Sequence, residues 1–136
     1  MFCRTALLAA WLAAATACSA ADQARTLDVR ILSTMLADEG FGEWGFAALV
    51  VADGHRILFD TGAHPDTVLR NARELHIDLS DVPDVILSHH HLDHTAGLLT
   101  LRREYAKSNP AALSRAHVGD GIFLSRTAAG EPKRIT

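Results

Sequence analysis

Apolar and polar residues first alternate with a period of two, which is the pattern of β-strands. This alternation predicts a half-buried strand over residues 27–32, and the nearly continuous apolar run over 46–51 is typical of a strand buried on both faces. Asp53-Gly54 is a strong hairpin signal, so residues 56–59 are expected to return beside the second strand. Residues 27–59 are therefore predicted to form a β-meander.

The period then changes to that of an α-helix. Two apolar stripes have helical spacing: Val68, Leu69, Ala72 and Leu75 in the first, and Leu98, Leu101 and Tyr105 in the second. Pro65 suits the first turn of the first helix, and Asn109-Pro110 is expected to end the second. Apolar residues also predict a strand over 84–88 and the start of another at 116–118. This order of strands and helices indicates a layered domain of the α/β (α+β) class.

The first 21 residues differ in composition from the rest of the chain. Arg4 is followed by a short apolar run over 6–17 and then by small residues, which is the layout of a secretory signal peptide. At about 12 residues, the run is shorter than the roughly 20 that a bilayer core requires. We therefore predict a bacterial signal peptide over residues 1–21 and a periplasmic or otherwise exported domain over 22–136.

The cleavage site of this signal peptide has two interpretations. Ala15-Thr16-Ala17-Cys18 resembles a bacterial lipoprotein signal, in which Cys18 would become the lipidated first residue and the membrane anchor. Cleavage after Ala20 or Ala21 is equally compatible with the sequence. Because Cys3 and Cys18 both precede residue 22, the exported domain would contain neither a disulfide nor a cysteine nucleophile.

The composition fits one small globular domain. The chain has 136 residues, of which 49% are hydrophobic and 21% charged, and a disordered chain has fewer apolar residues than this. Its 13 Lys and Arg residues and 16 Asp and Glu residues give a net charge of −3, so no basic surface is expected. We therefore expect no nucleic acid as a partner.

A glycine-rich segment matches the sequence pattern of a dinucleotide-binding loop but lacks the structural context that this loop requires. Residues 40–45 fit G-x-G-x-x-G, and Asp60 follows at a distance compatible with that fingerprint. The fingerprint requires a helix that begins at the glycines, whereas a strand and a hairpin are predicted here. We therefore expect no nicotinamide cofactor.

The segment between the strand predicted over 84–88 and the second helix concentrates the candidate chemistry. Four of the eight histidines lie within six consecutive positions of it. In an extended segment His89 and His91 project to the same side, which suits one divalent ion, whereas His90 points away. Asp93 and His94 follow a turn of the chain and can face a second ion. Neutral imidazole and carboxylate ligands favour zinc first, with iron or manganese as alternatives.

The sequence His89-His90-His91-Leu92-Asp93-His94 resembles the H-x-H-x-D-H signature of the metallo-β-lactamase superfamily. Phe59-Asp60-Thr61-Gly62 is similar to the D-T-G element of the same superfamily. Glu43-Trp44-Gly45 and Ile77-Asp78-Leu79-Ser80-Asp81 resemble one branch of it, the dihydropterin–ribofuranosylaminobenzene phosphate synthase-like proteins. The resemblance covers residues 27–125 and implies the N-terminal half of an αββα sandwich.

The resemblance also implies a reaction and a role for each motif residue. It implies a dizinc hydrolase with a small-molecule substrate, in which hydroxide bound to the metal attacks an ester, amide or phosphoester bond. His89 and His91 would bind the first metal, and Asp93 and His94 the second. Asp93 would in addition be the catalytic residue that guides the proton as the bond breaks. Asp60 would not bind the metal itself but would be the carboxylate that steadies and orients the ligand loop.

The resemblance does not extend to a complete site, because the second half of such a domain supplies further ligands. Only His117 follows His94, at a distance of 23 residues, which is early for the next ligand of the family. We expect His117 to lie in a strand near the site, and it is the weakest candidate ligand. The chain is therefore interpreted as the truncated N-terminal part of a domain.

The predicted truncation leaves open both the function of the chain and the cover of its sheet. The alternative to a hydrolase is a non-catalytic metal-binding fragment that lacks the ligands of the second half. The apolar sheet face of the half-sandwich is expected to be covered by the missing C-terminal half or by self-association.

Overall fold

The structure of the protein is a computed structural model, which describes residues 23–122, 124–125 and 133–134. The predicted signal peptide, with Cys3 and Cys18, lies outside the described residues and stays a prediction. Among the described residues, no helix is long and apolar enough to cross a membrane.

The described strands and helices follow one another in an order that belongs to the α/β class. The strands are β1 (Leu27–Ser33), β2 (Ala47–Ala52), β3 (His55–Phe59), β4 (Asp84–Leu87), β5 (Arg115–Val118), β6 (Leu124–Ser125) and β7 (Lys133–Arg134). The helices are α1 (Thr67–Glu74), α2 (Leu92–Thr95) and α3 (Leu98–Tyr105). The predicted fold class is confirmed, as are the predicted strands from β1 to β5 and the two predicted helices, α1 and α3.

The first five strands form one mixed sheet in the order β1-β2-β3-β4-β5. β2 pairs antiparallel with β1 and with β3, and Asp53-Gly54 turns the chain between β2 and β3, which confirms the β-meander. β3, β4 and β5 run parallel, because α1 and α3 provide the connections between them. The carboxyl ends of β1, β3, β4 and β5 therefore meet the amino end of β2 at one edge of the sheet, which we call the site edge.

One face of this sheet packs against the two longer helices and forms the hydrophobic core. The core includes Leu32, Leu49, Leu58, Val85 and Leu87 from the sheet, Val68, Leu69 and Ala72 from α1, and Leu101 from α3. Each buried Leu or Val side chain contributes about 1.5–3 kcal/mol to the free energy of folding. Both predicted helical stripes face this core, which holds the sheet and its edge in place.

The opposite face of the sheet carries apolar side chains that no described residue covers. Leu27, Val29 and Ile31 of β1 are 67%, 49% and 43% exposed, so the prediction that these alternating residues are buried is wrong. The reason is that α1 and α3 both pack on the other face of the sheet. Likewise, β2 is buried on both faces only over residues 47–49. Among the residues that the structure describes, this apolar face of β1 therefore stays uncovered.

Smaller differences from the predicted elements have local causes. α1 begins at Thr67 rather than at Pro65, because Pro65 and Asp66 form a turn before it. The short helix α2 was expected only as a turn. β6 and β7 form a two-residue antiparallel ladder that the sequence pattern does not predict. A strand of two residues is too short to show a period in the sequence.

Candidate metal centre

The candidate chemistry lies at the site edge, where several chain segments meet. Residues 60–64 follow β3 and residues 88–97 follow β4, and the two segments lie side by side because these strands are parallel neighbours. We call them the Asp60 loop and the histidine loop. Residues 43–46, which lead into β2, and Ser33, which ends β1, lie at the same edge.

The histidine loop brings three of the predicted ligands together. One ligand atom from each of His89, His91 and Asp93 lies within 4.8 Å of the others. The ring centroids of His89 and His91 are 4.6 Å apart. The helical turn α2 begins directly after His91 and brings Asp93 back toward the two imidazoles. The ring centroids of His89 and His94 are 4.2 Å apart, and Oδ2 of Asp93 lies 3.4 Å from Nε2 of His94, so the third histidine also borders this group.

The orientation of His94 depends on the buried carboxylate of Asp60. Nδ1 of His94 lies 2.7 Å from Oδ2 of Asp60, whose residue is only 1% exposed. The backbone N–H and the hydroxyl of Ser88 donate to the two oxygens of the same carboxylate, at 2.8 and 2.7 Å. The contact is a hydrogen bond to the carboxylate in the tautomer of His94 that carries its proton on Nδ1. In that tautomer, Nε2 of His94 keeps a lone pair on the side of Asp93.

Backbone hydrogen bonds tie the loops of the site edge into one unit. The N–H of Thr61 donates to the carbonyl of His94 at 2.7 Å, and that of Phe46 to the carbonyl of Asp93 at 3.2 Å. The N–H of Gly62 donates to the carbonyl of Phe46 at 3.0 Å. All three bonds join residues far apart in sequence, so the ligand positions depend on the folded sheet edge.

Two glycines let these backbones approach closely. A Cβ atom on Gly97 would lie 2.3 Å from the carbonyl oxygen of Thr61, and one on Gly45 would lie 2.8 Å from the carbonyl oxygen of Asp93. Both distances are below 3.0 Å, which real Cβ atoms essentially never show. A larger residue at either position would therefore push the histidine loop away from its neighbours.

A second buried carboxylate, that of Glu43, lies against the Asp60 loop. Its Oε1 accepts hydrogen bonds from the Ser33 hydroxyl at 2.5 Å and from the Ala63 N–H at 2.9 Å. Its Oε2 accepts the N–H of His64 at 3.0 Å and contacts Nδ1 of His64 at 2.8 Å. Burial alone would raise the pKa of Glu43, but the bonds from Ser33, His64 and Ala63 outweigh it and hold the pKa below its ordinary value. Glu43 is therefore ionised although it is buried.

The donor set of the histidine loop fits a divalent metal ion. Zinc takes imidazole nitrogens and carboxylate oxygens at about 2.0–2.2 Å, so two of its ligand atoms lie at most about 4 Å apart. The atoms of His89, His91 and Asp93 lie within 4.8 Å of one another, which small side-chain rotations can close. Nε2 of His94 adds a further donor beside Asp93. The site therefore provides three ligands for one ion and a fourth ligand adjacent to them.

Three other residues considered from the sequence lie outside this group. Nε2 of His117 lies 2.7 Å from Oδ1 of Asp84, which begins β4 at the opposite edge of the sheet, so His117 pairs with Asp84 and is not placed with the ligands. His90 is exposed, with its ring centroid 4.9 Å from that of His91. Trp44 is 73% exposed.

Sequence reasoning missed the residues that hold the ligands in place. Ser88 and Ser33 contact carboxylates that lie 28 and 10 residues away in sequence, and no local pattern reports such contacts. Glu43 was noted only for its resemblance to one family branch. The available signal was the position of Gly45 and Gly97 beside the motifs, because glycine permits close backbone approach.

Comparison with protein families gives a match that includes the site. The profile described as the Metallo-beta-lactamase superfamily matches residues 45–124, which is more than half of the chain. This match contains both the Asp60 loop and the histidine loop.

Two curated relatives match a shorter stretch. The chain is 42% identical over 55 residues to the 7,8-dihydropterin-6-methyl-4-(beta-D-ribofuranosyl)-aminobenzene-5'-phosphate synthase of Methanocaldococcus jannaschii. It is 43% identical over 53 residues to ribonuclease Z of Methanopyrus kandleri. These stretches are 40% and 39% of this chain but 19% and 18% of the relatives. The chain thus aligns with about a fifth of the length of the curated relatives it matches.

Two solved structures are also similar to part of the chain. Tm1679, a metal-dependent hydrolase of the beta-lactamase superfamily, is 38% identical, with a TM-score of 0.46 over 59% of this chain and 32% of that one. The metallo-β-lactamase MIM-1 from Novosphingobium pentaromativorans is 30% identical, with a TM-score of 0.35 over 54% of this chain and 24% of that one.

Proposed function

Because the chain belongs to the metallo-beta-lactamase superfamily, we propose that it is an exported, metal-dependent hydrolase of small molecules. The observation that carries the proposal is the grouping of His89, His91 and Asp93, whose ligand atoms lie within 4.8 Å of one another. The hydrogen bond between Asp60 and His94 supports it, because this bond leaves Nε2 of His94 as a metal donor.

The proposed reaction is hydrolysis of an ester, amide or phosphoester bond. A bound zinc, iron or manganese ion would supply activation of water and polarisation of the bond to be broken. His89, His91 and His94 would hold the metal through their ring nitrogens, and Asp93 through its carboxylate. Asp93, which lies beside these histidines, would also accept the proton of the attacking water and pass it to the leaving group. Asp60 would keep the imidazole of His94 in one orientation throughout.

We further propose that the centre holds two ions. The support is the position of Asp93, whose carboxylate lies in the group with His89 and His91 and also 3.4 Å from Nε2 of His94. A carboxylate that lies near both the His89–His91 pair and Nε2 of His94 can serve two ions about 3.5–4 Å apart. Replacement His94→Ala should therefore lower the number of bound ions by about one and leave the other ion in place.

A metal-binding fragment without catalysis is the second candidate function. The observation that favours it is the uncovered sheet face, on which Leu27, Val29 and Ile31 are exposed. His91 is exposed as well, so the described residues enclose the ligands on one side only. A pocket that excludes water around a substrate needs a second wall.

Hydrolysis assays on the full chain separate these candidates. The chain is loaded with zinc, manganese or iron(II) and given chromogenic ester, β-lactam, thioester and phosphodiester substrates. A hydrolase shows turnover that His91→Ala abolishes and that His90→Ala, the matched control in the same loop, retains. Metal binding without turnover on any substrate favours the fragment, and a chain that binds no metal contradicts both candidates.

Export rests on the pattern of residues 1–21 and needs its own test. We propose that this segment is a signal peptide, with lipidation of Cys18 as one of its two outcomes. The full chain is expressed in a bacterium with labelled palmitate, and its compartment and label are measured. If the chain is labelled and Cys18→Ala abolishes the label, the chain has a lipid anchor. Unlabelled periplasmic protein supports cleavage after Ala20 or Ala21. An uncleaved chain retained in the cytoplasm contradicts export.

A further inference from the structure

Glu43 is not among the predicted ligands, yet its side chain is one of the most buried polar groups at the site edge. Only 3% of it is exposed, and both of its oxygens are engaged by hydrogen-bond donors. One donor is Ser33 at the end of β1, and the others are Ala63 and His64 of the Asp60 loop. Glu43 therefore fastens the Asp60 loop to the sheet.

The Asp60 loop needs such support because its backbone is unusual. The φ angles of Asp60 and Gly62 are +55° and +78°, both in the left-handed region. A residue other than glycine keeps such a conformation only where the surrounding structure fixes it. The carboxylate of Glu43 fixes this loop by accepting two successive backbone N–H groups, those of Ala63 and His64.

The contact between Glu43 and the loop leaves no room for a side chain at Gly62. A Cβ atom on Gly62 would lie 2.2 Å from Oε1 of Glu43 and 3.0 Å from Cγ2 of Val68. Glycine at this position therefore serves both the positive φ and the close approach of the carboxylate. Gly62 thus meets both the backbone conformation of the loop and its close contact with Glu43.

Two series of contacts connect Glu43 to the predicted ligands. In the first, the Asp60 loop that Glu43 holds begins with Asp60, whose Oδ2 lies 2.7 Å from Nδ1 of His94. In the second, Gly45 lies two residues after Glu43, where a Cβ atom would lie 2.8 Å from the carbonyl oxygen of Asp93. A displacement of Glu43 would therefore reach both His94 and Asp93.

We propose that Glu43 is a positioning residue of the metal centre. Its buried carboxylate holds the Asp60 loop in the conformation in which Asp60 orients His94. The inference rests on the proposed function, since it assigns Glu43 a role toward the same metal ligands. It predicts that loss of the carboxylate weakens metal binding although Glu43 touches no ligand side chain directly.

The test compares Glu43→Gln with a matched control, Glu39→Gln, in the full chain. The first substitution keeps the shape of Glu43 but turns one acceptor oxygen into an NH₂ group that faces hydrogen-bond donors. Glu39 is exposed and lies on the same connection between β1 and β2. Zinc affinity is measured by competition with a chromophoric chelator, the ligand geometry by the absorption spectrum of bound cobalt(II), and stability by thermal unfolding of the metal-free chain.

We expect zinc affinity to fall about 10–100-fold in Glu43→Gln, with a changed cobalt spectrum, and to stay unchanged in Glu39→Gln. Wild-type affinity and spectrum in a folded Glu43→Gln overturn the inference and leave the proposed function intact, even if the melting temperature falls. A wild-type chain that binds no zinc overturns both. If Glu43→Gln does not fold, Ser33→Ala removes a single donor to Oε1 and is expected to weaken zinc binding several-fold; wild-type affinity in that variant overturns the inference.

Discussion

The replacement Asp60→Asn tests the link between the sheet edge and the predicted metal ligands most sharply. It keeps the size of a side chain that is 1% exposed, but it removes one of two acceptor oxygens. The remaining oxygen can still accept the backbone N–H of Ser88. The new NH₂ group then faces Nδ1 of His94, which donates to the wild-type carboxylate in the Nδ1-protonated tautomer.

His94 has two responses to this change, and both weaken metal binding. It keeps its proton on Nδ1 and leaves a buried donor without an acceptor, which costs about 1–3 kcal/mol. Alternatively, it moves the proton to Nε2 and loses the lone pair that faces Asp93. Loss of such a supporting carboxylate typically lowers metal affinity about 10–100-fold, or about 1.4–2.8 kcal/mol.

The assay is zinc competition with a chromophoric chelator, accompanied by thermal unfolding of the metal-free chain. Asp38→Asn, at an exposed position of the connection between β1 and β2, is the matched control and is expected to bind zinc as the wild type does. A folded Asp60→Asn with wild-type zinc affinity would refute the argument that Asp60 sets the orientation of His94.

Two further predictions concern packing and acid stability. Gly97→Ala places a methyl group 2.3 Å from the carbonyl oxygen of Thr61. We therefore expect the variant to lose about 1–3 kcal/mol of folding stability and to bind zinc more weakly. An unchanged melting temperature would contradict this close approach. Hydrogen bonds from Arg115 and His117 lower the pKa of Asp84 from 3.8 to about 2, so the folded state gains stability above about pH 4 and loses it as the pH falls toward 2. Asp84→Asn is expected to flatten this acid limb in urea titrations between pH 2 and 5, and an unchanged slope would contradict the assignment.

The regular elements of the fold could be predicted because their signals are local. The alternation in β1, the Asp53-Gly54 turn and the stripe around Val68 each depend on residues within a few positions of one another. The burial of β1 could not be predicted in this way. Alternation shows that one face of a strand is apolar, but the side on which the helices pack depends on the whole topology.

The ligand group was predictable for the same reason, whereas its support was not. His89, His91 and Asp93 lie within five consecutive residues, so a strand end and a turn suffice to bring them together. Asp60 and Glu43 act across 34 and 20 residues, respectively, and such contacts exist only once the sheet has formed. His117 illustrates the converse, because its pairing with Asp84 depends on the register of β5 beside β4.

The most direct test of the account is the amount of metal that the purified full chain retains after dialysis, measured by elemental mass spectrometry. We predict that the wild type and His90→Ala retain about two zinc ions per chain, and that the double variant His89→Ala/His91→Ala loses at least one of them. Equal metal content in the wild type and the double variant, whether high or near zero, would contradict the claim that the histidine loop is a metal centre.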